Sequence, residues 1–151
     1  MRLAPALLMV LVACTPGGDA CVGATCERVT VTLEQRDARL VIDAEIADTP
    51  AERSQGLRGR TELAEDAGML FLFEDQSART FTMEDVLIPL DLLMIRAGRV
   101  VEVIEMVPCE SSGASCLYQT DVADAALEVP GGTASQAGIG VGGVVAAGEL
   151  L

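Results

Sequence analysis

The sequence contains no histidine and no lysine, and each absence excludes a class of chemistry. Without histidine, the usual general base, the Ser-His and Cys-His nucleophile pairs and the commonest zinc ligand are missing. Without lysine, Schiff-base chemistry and Ser-Lys dyads are missing too. All ten basic residues are arginines, which stay charged near neutral pH and cannot shuttle protons. Any catalysis must therefore depend on carboxylates, cysteines, Tyr118 or a bound ion.

Aromatic residues are also scarce, because the chain has three phenylalanines, one tyrosine and no tryptophan. We therefore expect an aliphatic core of Val, Leu, Ile and Met. The formal net charge of −13 argues against nucleic acid as a partner, since binding nucleic acid requires a basic surface that neutralises phosphates. The same charge argues against electrostatic docking on anionic lipid headgroups.

The N-terminal stretch MRLAPALLMVLVAC has the pattern of an export signal. Arg2 supplies a positive charge, and the apolar run after it is too short to span a bilayer, which requires ~20 apolar residues. The run ends in LVAC, which resembles a bacterial lipobox. We expect residues 1–13 to be a lipoprotein signal peptide and residues 14–27 to be a lipidated Cys14 followed by a flexible tether. The alternative is an ordinary signal peptide with an incidental cysteine.

The residue after Cys14 predicts the destination of the chain. It is Thr15 rather than Asp, which resembles the pattern that sorts lipoproteins to the outer membrane of Gram-negative bacteria. The sequence therefore predicts an exported lipoprotein that is anchored through Cys14 in the outer membrane and faces the periplasm.

The cysteine count agrees with lipidation, because five is an odd number and removing Cys14 leaves four. In an oxidising periplasm four cysteines form two disulfides, and proximity favours the pairs Cys21–Cys26 and Cys109–Cys116. Three pairings are open in principle. A four-cysteine zinc site is the alternative, although the spacings C-x4-C and C-x6-C fit the usual zinc knuckle poorly. We predict no metal site and no cofactor.

Alternating apolar and polar residues predict a series of short strands. In 39-RLVIDAEIA-47 the pattern directs both acidic residues away from the core, and Ala97-Gly98 predicts a hairpin turn. Residues 28–151 are thus expected to form a compact, single-domain, mainly β fold, either a sandwich or a barrel, with one or two short helices. The predicted strands cover residues 28–34, 39–47, 69–74, 79–83, 91–96, 99–107, 125–132 and 144–147.

The first helix is predicted from its capping residues. Thr49 can cap the helix, Pro50 suits the first turn, and Glu52 completes a capping box. Gly59 is predicted to end it. Residues 61–68 are expected to form a polar loop, and residues 133–138 a single further helical turn.

Three carboxylates, Glu84, Asp85 and Asp91, interrupt the apolar stretch 79-RTFTMEDVLIPLDLLMI-95. Paired carboxylates can act as general acid and base, or as nucleophile and acid on a glycoside. The alternative is structural: Asp91 can accept backbone N–H bonds at a strand start, with Glu84 and Asp85 in a solvent-facing loop. The sequence favours the structural interpretation for Asp91.

Two arginines and a methionine complete the candidate ligand-binding residues. Arg53 and Arg60 lie on or beside the first helix and can together bind a carboxylate or phosphate. Their alternative is a salt bridge to Glu52, Glu62 or another acid. Met83, with the other methionines, can line an adaptable pocket or simply fill the core.

From Asp48 to about Gly140 the chain resembles a bacterial and archaeal family known as domain of unknown function 192. The resemblance implies a small, often exported β-rich fold without an established activity. The chain departs from the family pattern where Glu84 and Asp85 replace a basic residue and Asn, and where Arg58 replaces Met. If the family's basic residue contacts an anionic ligand, this chain has reversed the charge there. The matching residues are Glu52-Arg53, Gly56-Leu57, Arg60, Gly68-Met69-Leu70-Phe71, Phe73, Phe81, Met83, Pro89-Leu90-Asp91, Gly98, Cys109, Cys116, Tyr118 and Leu127-Glu128.

Three functions follow as hypotheses. The first is a lipid-tethered envelope domain that binds a small ligand, a glycan or a partner protein and performs no chemistry. The second is a carboxylate-dependent hydrolase of envelope polymers that uses Glu84 or Asp85 with Asp91. The third is a purely structural envelope lipoprotein.

Overall fold

The computed structural model describes residues 27–109 and 116–148. They form a mainly β domain with two short helices, as predicted. The elements are β1 (Arg28–Gln35), β2 (Ala38–Ala47), α1 (Pro50–Gln55), β3 (Ala67–Ser77), β4 (Thr80–Thr82), β5 (Leu90–Arg96), β6 (Arg99–Met106), β7 (Leu117–Gln119), β8 (Ala123–Pro130), α2 (Thr133–Ala137) and β9 (Val144–Ala147).

Seven strands close into a barrel in the order β1-β2-β3-β8-β5-β6-β9, and β9 pairs with β1 to complete the ring. Of the two expected architectures, the barrel is the one that forms. Every neighbouring pair is antiparallel except β2 and β3, which are parallel and are joined by a crossover that contains α1. Strands β4 and β7 form a separate two-stranded sheet.

Two hydrophobic clusters follow from this arrangement. All seven barrel strands contribute to the inner cluster, in which Leu93 and Leu127 are fully buried. Alternate residues of β3, β5, β6 and β8 point outwards and pack beneath α1, the loops after it and the β4–β7 sheet, which gives an outer cluster around Phe71 and Met94. Because β5 is buried on both faces, it has a nearly continuous apolar sequence instead of an alternating one.

Helix α1 begins as predicted but ends earlier. The Thr49 side chain accepts a hydrogen bond from the Glu52 N–H, and the Glu52 carboxylate accepts one from the Thr49 N–H, so the capping box is confirmed. The expected end at Gly59 is wrong, because Gly56 adopts a positive φ of 49° and stops the helix there. Any larger side chain would be strained in this conformation.

Two further expectations need correction. Glu45 points away from the barrel interior as predicted, but it is only 4% exposed because Arg60 covers it. The loop expected over 61–68 ends sooner, since β3 starts at Ala67, and the pattern did not predict β7. The hairpin turn at Ala97 and Gly98 is confirmed, and both residues have positive φ.

The expected disulfide between Cys109 and Cys116 is present and packs against the outer cluster. The other cysteine positions, Cys14, Cys21 and Cys26, lie outside the described residues, as do the signal peptide and nearly all of the tether. Neither helix in residues 27–109 and 116–148 has the length and hydrophobicity needed to cross a bilayer.

Candidate ligand-binding site

A cavity of about 460 Å³ opens on the outer face of the barrel, beside the C-terminal end of α1. Its walls come from α1 and the turn after it, from β3, from β4 with the residues just before it, from Val86, and from one residue of β8. These elements are distant in the sequence and meet because β3 and β8 are neighbours in the barrel. The lining residues are Arg53, Ser54, Gln55, Gly56, Leu57, Arg58, Phe71, Phe73, Ala78, Arg79, Thr80, Phe81, Thr82, Val86 and Glu128.

All three phenylalanines of the chain line this cavity. The Phe71 and Phe81 rings meet edge to face, with centroids 5.5 Å apart and an interplanar angle of 83°. Phe73 is half-buried nearer the surface. In a chain so poor in aromatic residues, their concentration at one cavity marks it as a place where flat apolar groups can pack.

Glu128 is the buried acid of the site. It lies in the middle of β8, where it pairs with Met69 on one side and Leu92 on the other, and it is 5% exposed. Within the described part of the chain no protein group forms a hydrogen bond with its carboxyl group, whose oxygens are not fully shielded from solvent and line the cavity. Burial raises the pKa of Glu128 to about 8. The group is therefore protonated and uncharged at neutral pH, and it can donate a hydrogen bond.

Two arginines flank the Phe73 ring. The guanidinium carbon of Arg79 lies 3.8 Å from the ring centroid and that of Arg53 lies 6.0 Å from it. Arg79 also donates to the carboxylate and carbonyl oxygens of Asp75, and its buried Nε has no partner in the described residues. Arg53 donates through Nη1 to the carbonyls of Leu72, at 3.0 Å, and of Asp48.

Glu84 and Asp85 lie in an exposed turn outside the cavity lining. Both contact Nη1 of Arg58, at 3.4 Å and 3.5 Å. The chain departs from the family pattern at Arg58, Glu84 and Asp85, and in the structure Arg58 contacts both acids. Their side chains are 69% and 76% exposed, so these ion pairs are surface pairs of small energetic effect.

Asp91 lies at the start of β5 and is 2% exposed. Its two carboxylate oxygens accept hydrogen bonds from the N–H groups of Gly132 and Ala134, both at 2.9 Å. These groups belong to the first turn of α2, so the arrangement matches the structural interpretation. Asp91 does not line the cavity, and it shares no contact with Glu84 or Asp85.

Arg60 and Met83 are also outside the lining. Arg60 is buried and donates through Nη2 to both carboxylate oxygens of Glu45, at 2.8 Å and 2.7 Å. Met83 is 1% exposed and belongs to the outer cluster. Of the six residues predicted to bind a ligand, Arg53 is the one that lines the cavity.

Sequence reasoning missed Glu128, Arg79 and the shared location of the three phenylalanines. One signal was present: Glu128 interrupts the apolar strand AALEVP, where an acid between buried neighbours is unusual. The cavity itself had no local signal. Among residues 27–109 and 116–148, no three or more Cys, Asp or Glu side chains are grouped closely enough to hold a metal ion.

Residues 31–147 match the model of the DUF192 family, which is described as "Uncharacterized ACR". The chain therefore belongs to this family. Among curated proteins no match is found.

Two solved structures are similar to the chain. A protein of unknown function from Novosphingobium aromaticivorans DSM 12444 is 34% identical, with a TM-score of 0.72 over 79% of this chain and 84% of that one. A candidate transcription regulator from Sinorhizobium meliloti 1021 is 25% identical, with a TM-score of 0.74 over 82% of this chain and 96% of that one. Both show the same fold.

Proposed function

We propose that the protein is a lipid-anchored envelope domain that binds a small organic ligand in the cavity beside Glu128 and does not transform it. One observation carries this proposal. A buried carboxyl group without a hydrogen-bond partner in the described residues lines a cavity that also contains every phenylalanine of the chain.

A buried carboxyl group without a protein partner is unusual. Most buried polar side chains are hydrogen-bonded within the protein, whereas the Glu128 carboxyl group has no partner in the described residues and can form hydrogen bonds only with water or a ligand in the cavity. A carboxyl group with a purely structural role would be expected to have a protein partner, as Asp91 has in α2. A ligand that accepts a hydrogen bond from Glu128 would give this carboxyl group a partner when it binds. The three aromatic rings would bury its apolar surface.

Thermal unfolding of the full chain, purified in detergent, against a panel of small metabolites and glycans tests this proposal. A ligand at a hundredfold its Kd stabilises the protein by about 2.7 kcal/mol, which raises the midpoint by several degrees. We expect Glu128→Leu to abolish the response. Glu105→Gln, which changes an exposed acid on β6, should retain it. A panel without hits, or a hit that Glu128→Leu leaves unchanged, would contradict the proposal.

The lipid anchor is a separate part of the proposal. It is supported by the apolar N-terminal run that ends in LVAC and by the odd number of cysteines. Metabolic labelling with a fatty acid should mark the protein, and Cys14→Ser should remove the label. Mature protein that carries no label would contradict the anchor without affecting the binding proposal.

A further inference from the structure

The cavity has two chemically different polar regions, one buried and one partly exposed. In one region Glu128 is buried in an apolar environment. Burial raises the pKa of Glu128. In the other region Arg53 and Arg79 are partly exposed beside Phe73.

The arginine region has unused capacity to bind an anion. Arg53 forms no ion pair among the described residues, although the chain has 23 acidic and 10 basic residues. Its Nη1 donates to two carbonyls, while Nε and Nη2 have no partner in the same residues. Arg79 is paired with Asp75 through Nη2, and its unpartnered Nε is shielded from solvent, so among the described residues Arg53 supplies most of the free donors of this region. Planar guanidinium donors match a carboxylate group.

The Glu128 region selects for an uncharged acceptor. A protonated carboxyl group donates a hydrogen bond to a carbonyl or ester oxygen, and this contact needs no second buried charge. A ligand cation would lie near three cationic side chains, Arg53, Arg58 and Arg79, and this like charge disfavours a cation.

From these observations we infer the class of ligand, an inference that rests on the proposed function. The ligand is a flat, unsaturated carboxylate with three parts. Its carboxylate binds Arg53 and Arg79 at the surface, its planar body packs against the phenylalanine rings, and an uncharged carbonyl at its far end accepts a hydrogen bond from Glu128. The cavity volume of about 460 Å³ lies in the range of small-molecule sites.

Four matched probes test each part of this class by calorimetry with the full chain. Monomethyl terephthalate has both polar ends. Dimethyl terephthalate lacks the anion, 4-propylbenzoate lacks the inner acceptor, and methyl 4-(aminomethyl)benzoate replaces the anion by a cation. We expect the first probe to bind with the lowest Kd. Loss of either polar end should weaken binding about tenfold, and the cation should bind most weakly.

Two variants assign the ends to residues. Arg53→Gln should remove the preference for the monoester over the diester. Glu128→Leu should remove the preference for the monoester over 4-propylbenzoate. The matched controls are Arg36→Gln and Glu105→Gln, which change exposed residues outside the cavity and should leave all four affinities unchanged.

The outcomes separate the ligand class from the proposed function. If the diester or the cation binds as tightly as the monoester and Glu128→Leu weakens both, the class is wrong and the cavity is still a binding site. Failure of all four probes at millimolar concentration overturns the class, and the metabolite panel then decides the function. Probe binding that neither variant alters would contradict both, because the probes would then bind elsewhere.

Discussion

The Asp91 carboxylate on β5 accepts a hydrogen bond of 2.9 Å from the backbone N–H of Ala134 in α2, 43 residues further along the chain. A second bond comes from the N–H of Gly132. Gly132 is the N-cap residue of α2 and has no side chain with which to cap it. Asp91 therefore supplies the cap from a barrel strand, and it ties α2 to the end of the barrel.

Replacing Asp91 by Asn should destabilise the protein without changing ligand binding. One N–H would lose its acceptor and face an amide donor in a buried site, which costs about 1–3 kcal/mol. Urea unfolding measures the loss. The control is Asp85→Asn, an exposed position where the change should be below about 1 kcal/mol. Equal stability of the two variants would show that Asp91 is not a cap.

Glu128 should make the stability of the protein fall as the pH rises. Its pKa is about 8 when folded and near the ordinary value of 4.5 when unfolded. Between these values the folded state holds a proton that the unfolded state has lost. The free energy of unfolding should therefore decrease from pH 4.5 to about 8, by about 1 kcal/mol for each pH unit.

Urea midpoints between pH 5 and about pH 9 test this dependence. The decrease should disappear in Glu128→Gln, whose side chain does not titrate, while Glu105→Gln should behave as wild type. Other groups titrate equally in wild type and Glu128→Gln, so the difference between their curves of urea midpoint against pH isolates the effect of Glu128. Parallel curves for Glu128→Gln and wild type would mean that Glu128 titrates normally in the folded state.

Arg60 and Glu45 should show strong energetic coupling. Their side chains are 7% and 6% exposed, and the closest N–O distance is 2.7 Å. Arg60→Met removes the closest cation from the buried Glu45 and leaves the weaker contact to Arg28 at 3.3 Å, which should cost about 3 kcal/mol. The double variant with Glu45→Leu should recover most of this loss. A double-mutant cycle from urea unfolding measures the coupling, and additive effects would contradict it.

The Cys109–Cys116 disulfide should stabilise the domain modestly. The two cysteines are separated by 7 positions, and a loop this short restricts the unfolded chain by about 2 kcal/mol. The double replacement by serine should lower the free energy of unfolding by that amount. Reduction of wild type is a weaker test, because it also acts on the cysteines outside the described residues. No change in the double variant would show that the bond is energetically neutral.

The sequence predicted most elements of this fold because their signals are local. Strand alternation identified β1 and β2, and the capping residues Thr49 and Glu52 identified the start of α1. The end of α1 was misplaced because Gly56 and Gly59 both adopt positive φ, and composition does not show which of them stops a helix. The three-residue strand β7 was too short to have a detectable period.

The candidate site was largely unpredictable because its residues come together through contacts between distant segments and not through local signals. Arg53, Phe71 and Glu128 belong to segments that are far apart in the sequence and meet only when β3 and β8 pair in the closed barrel. Residue type did not distinguish Asp91, which has backbone partners, from Glu128, which has no protein hydrogen-bond partner in the described residues. The partners of Asp91 come from a segment that is distant in the sequence.

The sequence by itself determined the β-rich class, the aliphatic core, the acidic charge and the chemistry excluded by the absence of histidine and lysine. These properties depend on composition and on contacts between near neighbours. Only the tertiary structure decided that Glu45 and Glu128 are buried while Glu84 is exposed, and that Glu45 is paired with an arginine while Glu128, among the described residues, is not. The burial and pairing of a charge depend on groups brought together by barrel closure, and no local pattern encodes that closure.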